Sequence, residues 1–137
     1  MVAPCLHHVL VPVADVDRAR HFYRDVLELR EIARPNFSFG GAWFQLGGGQ
    51  HLHLFVRADA TNRGNKPVDA TDVHFALGMM SFSKTLVWLR AKGFNEDLPP
   101  EDLHKMILRP NSIVGRPQIY IIDPDHNVIE FICDALD

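Results

Sequence analysis

The order of apolar runs and turn signals occurs twice along this 137-residue chain, and that repeat narrows the possible folds more than any other feature. Cys5–Val13 is rich in valine and reads as a strand. Asp15 caps a helix over about Val16–Leu29, with Ala19, Phe22, Tyr23, Val26 and Leu27 on one stripe. Pro35 breaks regularity. Ala42–Leu46 and Gln50–Val56 then form a hairpin across Gly47-Gly48-Gly49. After the polar stretch ADATNRGNKPVDAT at 58–71 the succession restarts. Val73–Gly78 is a strand, and Ser81 or Ser83 caps a helix to about Lys92, with Gly93 past its end. Phe94–Pro117 is irregular, with one short strand at most. Gln118–Ile122 and Val128–Cys133 are strands joined by a turn at Asp123–Asn127. The prediction is an α+β chain of two βαβββ modules, about 4–57 and 72–134, joined by a linker at about 58–71.

Each half carries two candidate metal donors at matching places: His8 and His74 on the opening strands, His53 and Glu130 on the closing ones. His8 and His74 are 66 residues apart and His53 and Glu130 are 77 apart; the 11 additional residues fall in the irregular segment. Side chains alternate across a strand, so parity can be read directly. His8 opposes Val9, Val11 and Val13; His53 opposes Leu52 and Leu54; His74 opposes Phe75 and Leu77; Glu130 opposes Ile129 and Phe131. Three imidazoles and a carboxylate suit a divalent ion. Taken singly, each is better explained as an ordinary strand residue; the four together leave both readings open. His7 has the valine-face parity, which argues against it. His51 shares the face of His53 but lies nearer the turn, and is placed as a group that either supports a donor from behind or faces the substrate.

Composition excludes several classes. Net charge is −3 with histidines neutral, so no basic surplus draws nucleic acid or an anionic membrane. No apolar run approaches the roughly 20 residues of a membrane span. Cys5 and Cys133 do not make a disulfide framework, and the N-terminus lacks the pattern of a signal peptide. The expectation is a cytoplasmic protein with a small-molecule partner and no nucleic-acid or membrane partner.

The motifs LHHVLVPVADVDRARHFYRDVLEL, VHFAL and IYIIDPDHNVIEF resemble those of the vicinal-oxygen-chelate superfamily, which holds glyoxalases, bleomycin-resistance proteins and dioxygenases; the likeness is to its glyoxalase I-like branch. The resemblance implies two βαβββ modules forming a curved mixed sheet around a cup-like site. It implies one divalent metal ion per site (Zn, Ni, Co, Mn or Fe) held by His8, His53, His74 and Glu130. It also implies a homodimer whose sites draw donors from both subunits. Departures are informative. Glyoxalase I-like chains carry glutamate where His53 stands, and Asp25 replaces the arginine that holds the glutathione carboxylate. Glu28 and His126 occupy positions where glycine is usual, and His126 is expected to take left-handed backbone.

The chemistry expected of such a site is chelation of a small α-oxo or α-hydroxy carbonyl compound, with Glu130 moving a proton between neighbouring carbons, a lyase or isomerase reaction resembling that of lactoylglutathione lyase. The alternatives are a bleomycin-resistance-like binding protein without turnover and an Fe(II)-dependent dioxygenase. Trp43, Phe55, His51, Arg116 and Tyr120 are read as substrate-binding residues. Phe39 and Phe44 are further candidates for the pocket wall, and Lys105, Arg109 and Arg116 for holding an anionic substrate group.

Overall fold

A computed structural model describes residues 2–58 and 62–137; positions 59–61 of the expected linker lie outside the described residues. The chain forms two compact units, Met1–Asn62 and Arg63–Asp137. In the first, β1 (His8–Val13) is followed by α1 (Val16–Arg20), a π-helical turn (His21–Val26), β2 (Arg30–Ile32), β3 (Gly41–Gln45) and β4 (His51–Val56). In the second, β5 (His74–Ser81) is followed by α2 (Phe82–Ala91), β6 (Ile107–Arg109), β7 (Gln118–Ile122) and β8 (Val128–Ala135). Each unit is therefore a βαβββ module. The sheets have four strands each, in the orders β1-β4-β3-β2 and β5-β8-β7-β6, with the opening strand parallel to the closing one. Both are mixed sheets of an α+β fold, and the module repeats as expected.

Differences from the sequence reading have local causes. The first strand begins at His8 rather than Cys5, because the strand it pairs with, β4, begins at His51, opposite His8. The helix expected over 16–29 comes in two pieces. Asp15 caps it, accepting a hydrogen bond from the Arg18 amide at 2.9 Å. Beyond Arg20 the turn widens: the Leu27 amide donates to the Phe22 carbonyl, five residues back. This lets the consecutive Phe22 and Tyr23 both be buried. Glu28, at φ 59°, then ends the helix. β5 runs on to Ser81, which is also the cap of α2, accepting from the Lys84 amide at 3.1 Å. The irregular segment holds the single short strand β6.

The second half of the expected linker belongs to the second unit. Val68 and Ala70 are buried with Tyr120, Ile122 and Val128 in one cluster. Phe44 corrects the pocket expectation. It lies opposite Leu52, is fully buried, and faces the Tyr23 ring at 5.9 Å. Period-two alternation puts it on the helix side of the sheet, whereas its neighbour Trp43 pairs with His53 on the other face.

Candidate metal centre

Strand register places the four donors in equivalent positions. Leu10, two residues beyond His8, pairs with His53; Ala76, two residues beyond His74, pairs with Glu130. On the other side Trp43 pairs with His53 and Tyr120 with Glu130. By this register His53, and not His51, is the counterpart of Glu130.

In the first unit His53 is buried in a stack. The Trp43 ring lies 4.0 Å from it and 4° from parallel, and the His8 ring lies 4.3 Å away on a 21° tilt. His51 Nδ1 is 3.4 Å from His53 Nε2. His7 joins the group, against the parity expectation: its Nδ1 lies 2.9 Å from that of His8, and its ring 5.9 Å from that of His51. It precedes the first paired residue of β1, so strand alternation does not govern it. Phe55 shares the His53 face and touches Phe39 at 5.0 Å; Phe39 stacks on Phe37, and the Arg34 guanidinium lies over both rings. Sequence reasoning passed over Phe37 and Arg34, which sit in an irregular segment without periodicity.

Burial, reinforced by the neighbouring His8, His51 and His7 rings and by Arg34, pushes His53 down to about 4. Its imidazole is thus neutral and able to donate a lone pair at ordinary pH. A histidine whose folded value is depressed binds its proton first in the unfolded chain. Stability is therefore expected to fall as pH drops from 6.5 towards 4. Urea unfolding across that range checks this: the slope should flatten in His53→Asn, and an unchanged slope would contradict it.

In the second unit His74 Nε2 lies 2.8 Å from Glu130 Oε2. Gln118 donates from Nε2 to Glu130 Oε1 at 2.6 Å. His74 Nδ1 donates to the Asp72 carbonyl at 2.7 Å. Gln118 was not singled out from sequence; its only signal is strand parity with Tyr120 and Glu130. A carbonyl only accepts, so the ring hydrogen of a neutral His74 is on Nδ1, and the Nε2 lone pair points at a carboxylate oxygen. Two such donors need a positive charge between them, a proton or a metal ion. Donors bound at about 2.0–2.2 Å at a right angle sit about 3 Å apart, so the observed spacing fits a pair on one ion. Among the described residues no three His, Cys, Asp or Glu side chains gather into a metal-holding group; the donors come as one pair in each unit.

A cavity of about 550 Å³ opens beside this pair, lined by Arg109, Asn111, Ser112, Gln118 and Tyr120 among others. The Tyr120 ring meets His74 edge-on at 5.6 Å, and the Arg109 guanidinium lies over the same ring, 5.8 Å from its centroid. Burial and the nearby Glu130 carboxylate push the Tyr120 phenol up. Of the three cations read as anion anchors, Lys105 donates to the Glu96 carbonyl and Arg116 is paired with Asp134. Arg109 alone of the three lines the cavity.

The sequence profile described as "Glyoxalase/Bleomycin resistance protein/Dioxygenase superfamily" matches residues 5–131. The chain belongs to that superfamily. Solved structures of glyoxalase-fold proteins superpose on it. A glyoxalase family protein from Bacillus anthracis is 22% identical, with a TM-score of 0.76 and 98% of each chain covered. Lactoylglutathione lyase from Agrobacterium tumefaciens is 22% identical with a TM-score of 0.66, over 96% of this chain and 95% of that one. A glyoxalase/dioxygenase from Nostoc punctiforme is 20% identical with a TM-score of 0.67, over 98% and 97%. These likenesses establish the glyoxalase fold. No curated protein matches the chain. Among the described residues, no helix is long and apolar enough to cross a membrane.

Proposed function

We propose that this glyoxalase-superfamily chain is a metal-dependent enzyme acting on a small α-oxo or α-hydroxy carbonyl substrate by proton transfer, a lyase- or isomerase-type reaction. The observation that carries the reading is the His74–Glu130 contact at 2.8 Å, with the His74 ring hydrogen fixed on the far side by the Asp72 carbonyl. His8 and His53 supply a second pair of imidazole donors. A homodimer that brings the first unit of one subunit to the second unit of another would complete the set of four.

A bound divalent ion would polarise the substrate carbonyl and stabilise the developing oxyanion. The remaining work falls to the chain itself. Glu130 takes the proton from the α-carbon and returns it to the neighbouring one. Gln118 holds one carboxylate oxygen and so fixes the plane of the other. Trp43 beside His53 and Tyr120 beside Glu130 lower the local polarity and strengthen each charge interaction. Arg109, beside the cavity, anchors an acidic group on the substrate.

The test is α-proton exchange in D₂O, followed by NMR, for a panel of α-hydroxy and α-oxo carbonyl compounds that includes the methylglyoxal–glutathione hemithioacetal. Metal-loaded protein is expected to catalyse exchange with at least one of them and chelator-treated protein with none. Ligand binding that survives chelation without exchange would instead favour sequestration without turnover.

A further inference from the structure

Arg63 is a charged side chain almost wholly removed from water, at 5% exposure, and its neighbourhood explains why it is tolerated. Its Nε donates to Asp72 Oδ2 at 2.9 Å, Nη1 to the His126 carbonyl at 2.7 Å and to the Lys66 carbonyl at 3.4 Å, and Nη2 to the Pro67 carbonyl at 2.7 Å. A guanidinium is the one side chain able to tie a carboxylate and several carbonyls together in one plane. Burying it is costly, and a buried ion pair is weak evidence for stability on its own account. Two of the segments it fastens lead directly to the candidate centre.

The first is Asp72. Its carboxylate is held by Arg63 on one oxygen and by the Val73 amide on the other, at 2.9 and 2.8 Å. Both ends being fixed, the Asp72 peptide is fixed too, and its carbonyl is the acceptor for His74 Nδ1. The second is the turn between β7 and β8. His126 sits there in left-handed backbone at φ 66°, and its own ring bonds the Lys66 carbonyl at 2.8 Å. Asp123 closes the same turn by accepting from the Asp125 and Asn127 amides, each at 2.9 Å. Four residues on from His126 is Glu130.

We propose that Arg63 is a positioning residue for the His74–Glu130 pair. Through Asp72 it holds His74 in the Nδ1–H tautomer, and through the His126 carbonyl it sets the entry of β8 that carries Glu130. Partners of this outer kind fix which ring nitrogen faces an ion, and their loss typically lowers metal affinity about 10–100-fold. The affinity consequence rests on the metal reading above; the tautomer does not.

The experiment compares wild type with Arg63→Lys and Asp72→Asn, each as full-length protein. Ring ¹⁵N shifts of His74 are read in metal-free protein, and Zn²⁺ affinity is read by competition with a chromophoric chelator. Wild type is expected to keep a hydrogen on Nδ1 throughout, whether Nε2 faces a proton or an ion. Both variants should show a fraction of His74 with its hydrogen on Nε2 alone and bind Zn²⁺ about 10–100-fold more weakly. Variants that lose thermal stability but keep the Nδ1 hydrogen throughout would overturn the proposal and leave Arg63 a purely structural clamp. If Arg63→Lys does not fold, Asp72→Asn decides alone. If wild type fails to bind Zn²⁺ the metal reading falls, while the tautomer comparison still decides the role of Arg63.

Discussion

Replacing Glu130 by glutamine is expected to lower α-proton exchange by about 10²–10⁴-fold, the usual contribution of a positioned general base. Glutamine keeps the size of the side chain and an oxygen for the Gln118 amide, so the fold should persist. It removes the carboxylate that would take the proton, and turns the His74 contact into a hydrogen bond from the new amide to Nε2. Glu130 is 5% exposed, and its cross-strand partners are Tyr120 on β7 and Ala76 on β5, neither of them an acid. Exchange measured by NMR on the folded variant checks this, and an unchanged rate would remove Glu130 from the reaction.

The largest expected loss of stability is in Phe131→Ala, at about 3–5 kcal/mol. Phe131 is 1% exposed on the face of β8 opposite Glu130, and its ring meets Trp88 of α2 edge-on at 5.9 Å. Truncation leaves a cavity under the helix that neither β5 nor β8 can close, since both are fixed by their mutual ladder. Urea unfolding monitored by tryptophan fluorescence measures it. A loss under about 1 kcal/mol would mean that this face is not a packed core. The variant also separates two roles within one strand: Phe131 supports the fold, and Glu130 faces the site.

Much of this division could be read from sequence because strands obey a strict period of two. Parity placed His53, His74 and Glu130 opposite the apolar faces, and the repeat paired Glu130 with His53 ahead of His51, as the register does. The same rule, applied to β3, would have removed Phe44 from the pocket wall. What escaped the reading lay where no period operates. His7 joins the imidazole group from outside the ladder. The turn after Arg20 widened because burying both Phe22 and Tyr23 outweighs regular helix geometry. The polar composition of 58–71 suggested a free linker, yet Arg63 is buried there, since a charge is hidden from water only when long-range partners such as the His126 carbonyl are at hand. Gln118 is one glutamine among apolar neighbours on β7, and nothing local announces that it holds Glu130.

The central claim is that His74 and Glu130 are donors to a resident ion. Elemental analysis of protein purified without added chelator measures it most directly. The account predicts about one divalent ion per chain in wild type and none in His74→Ala or Glu130→Ala. Undiminished metal content in both variants would contradict it.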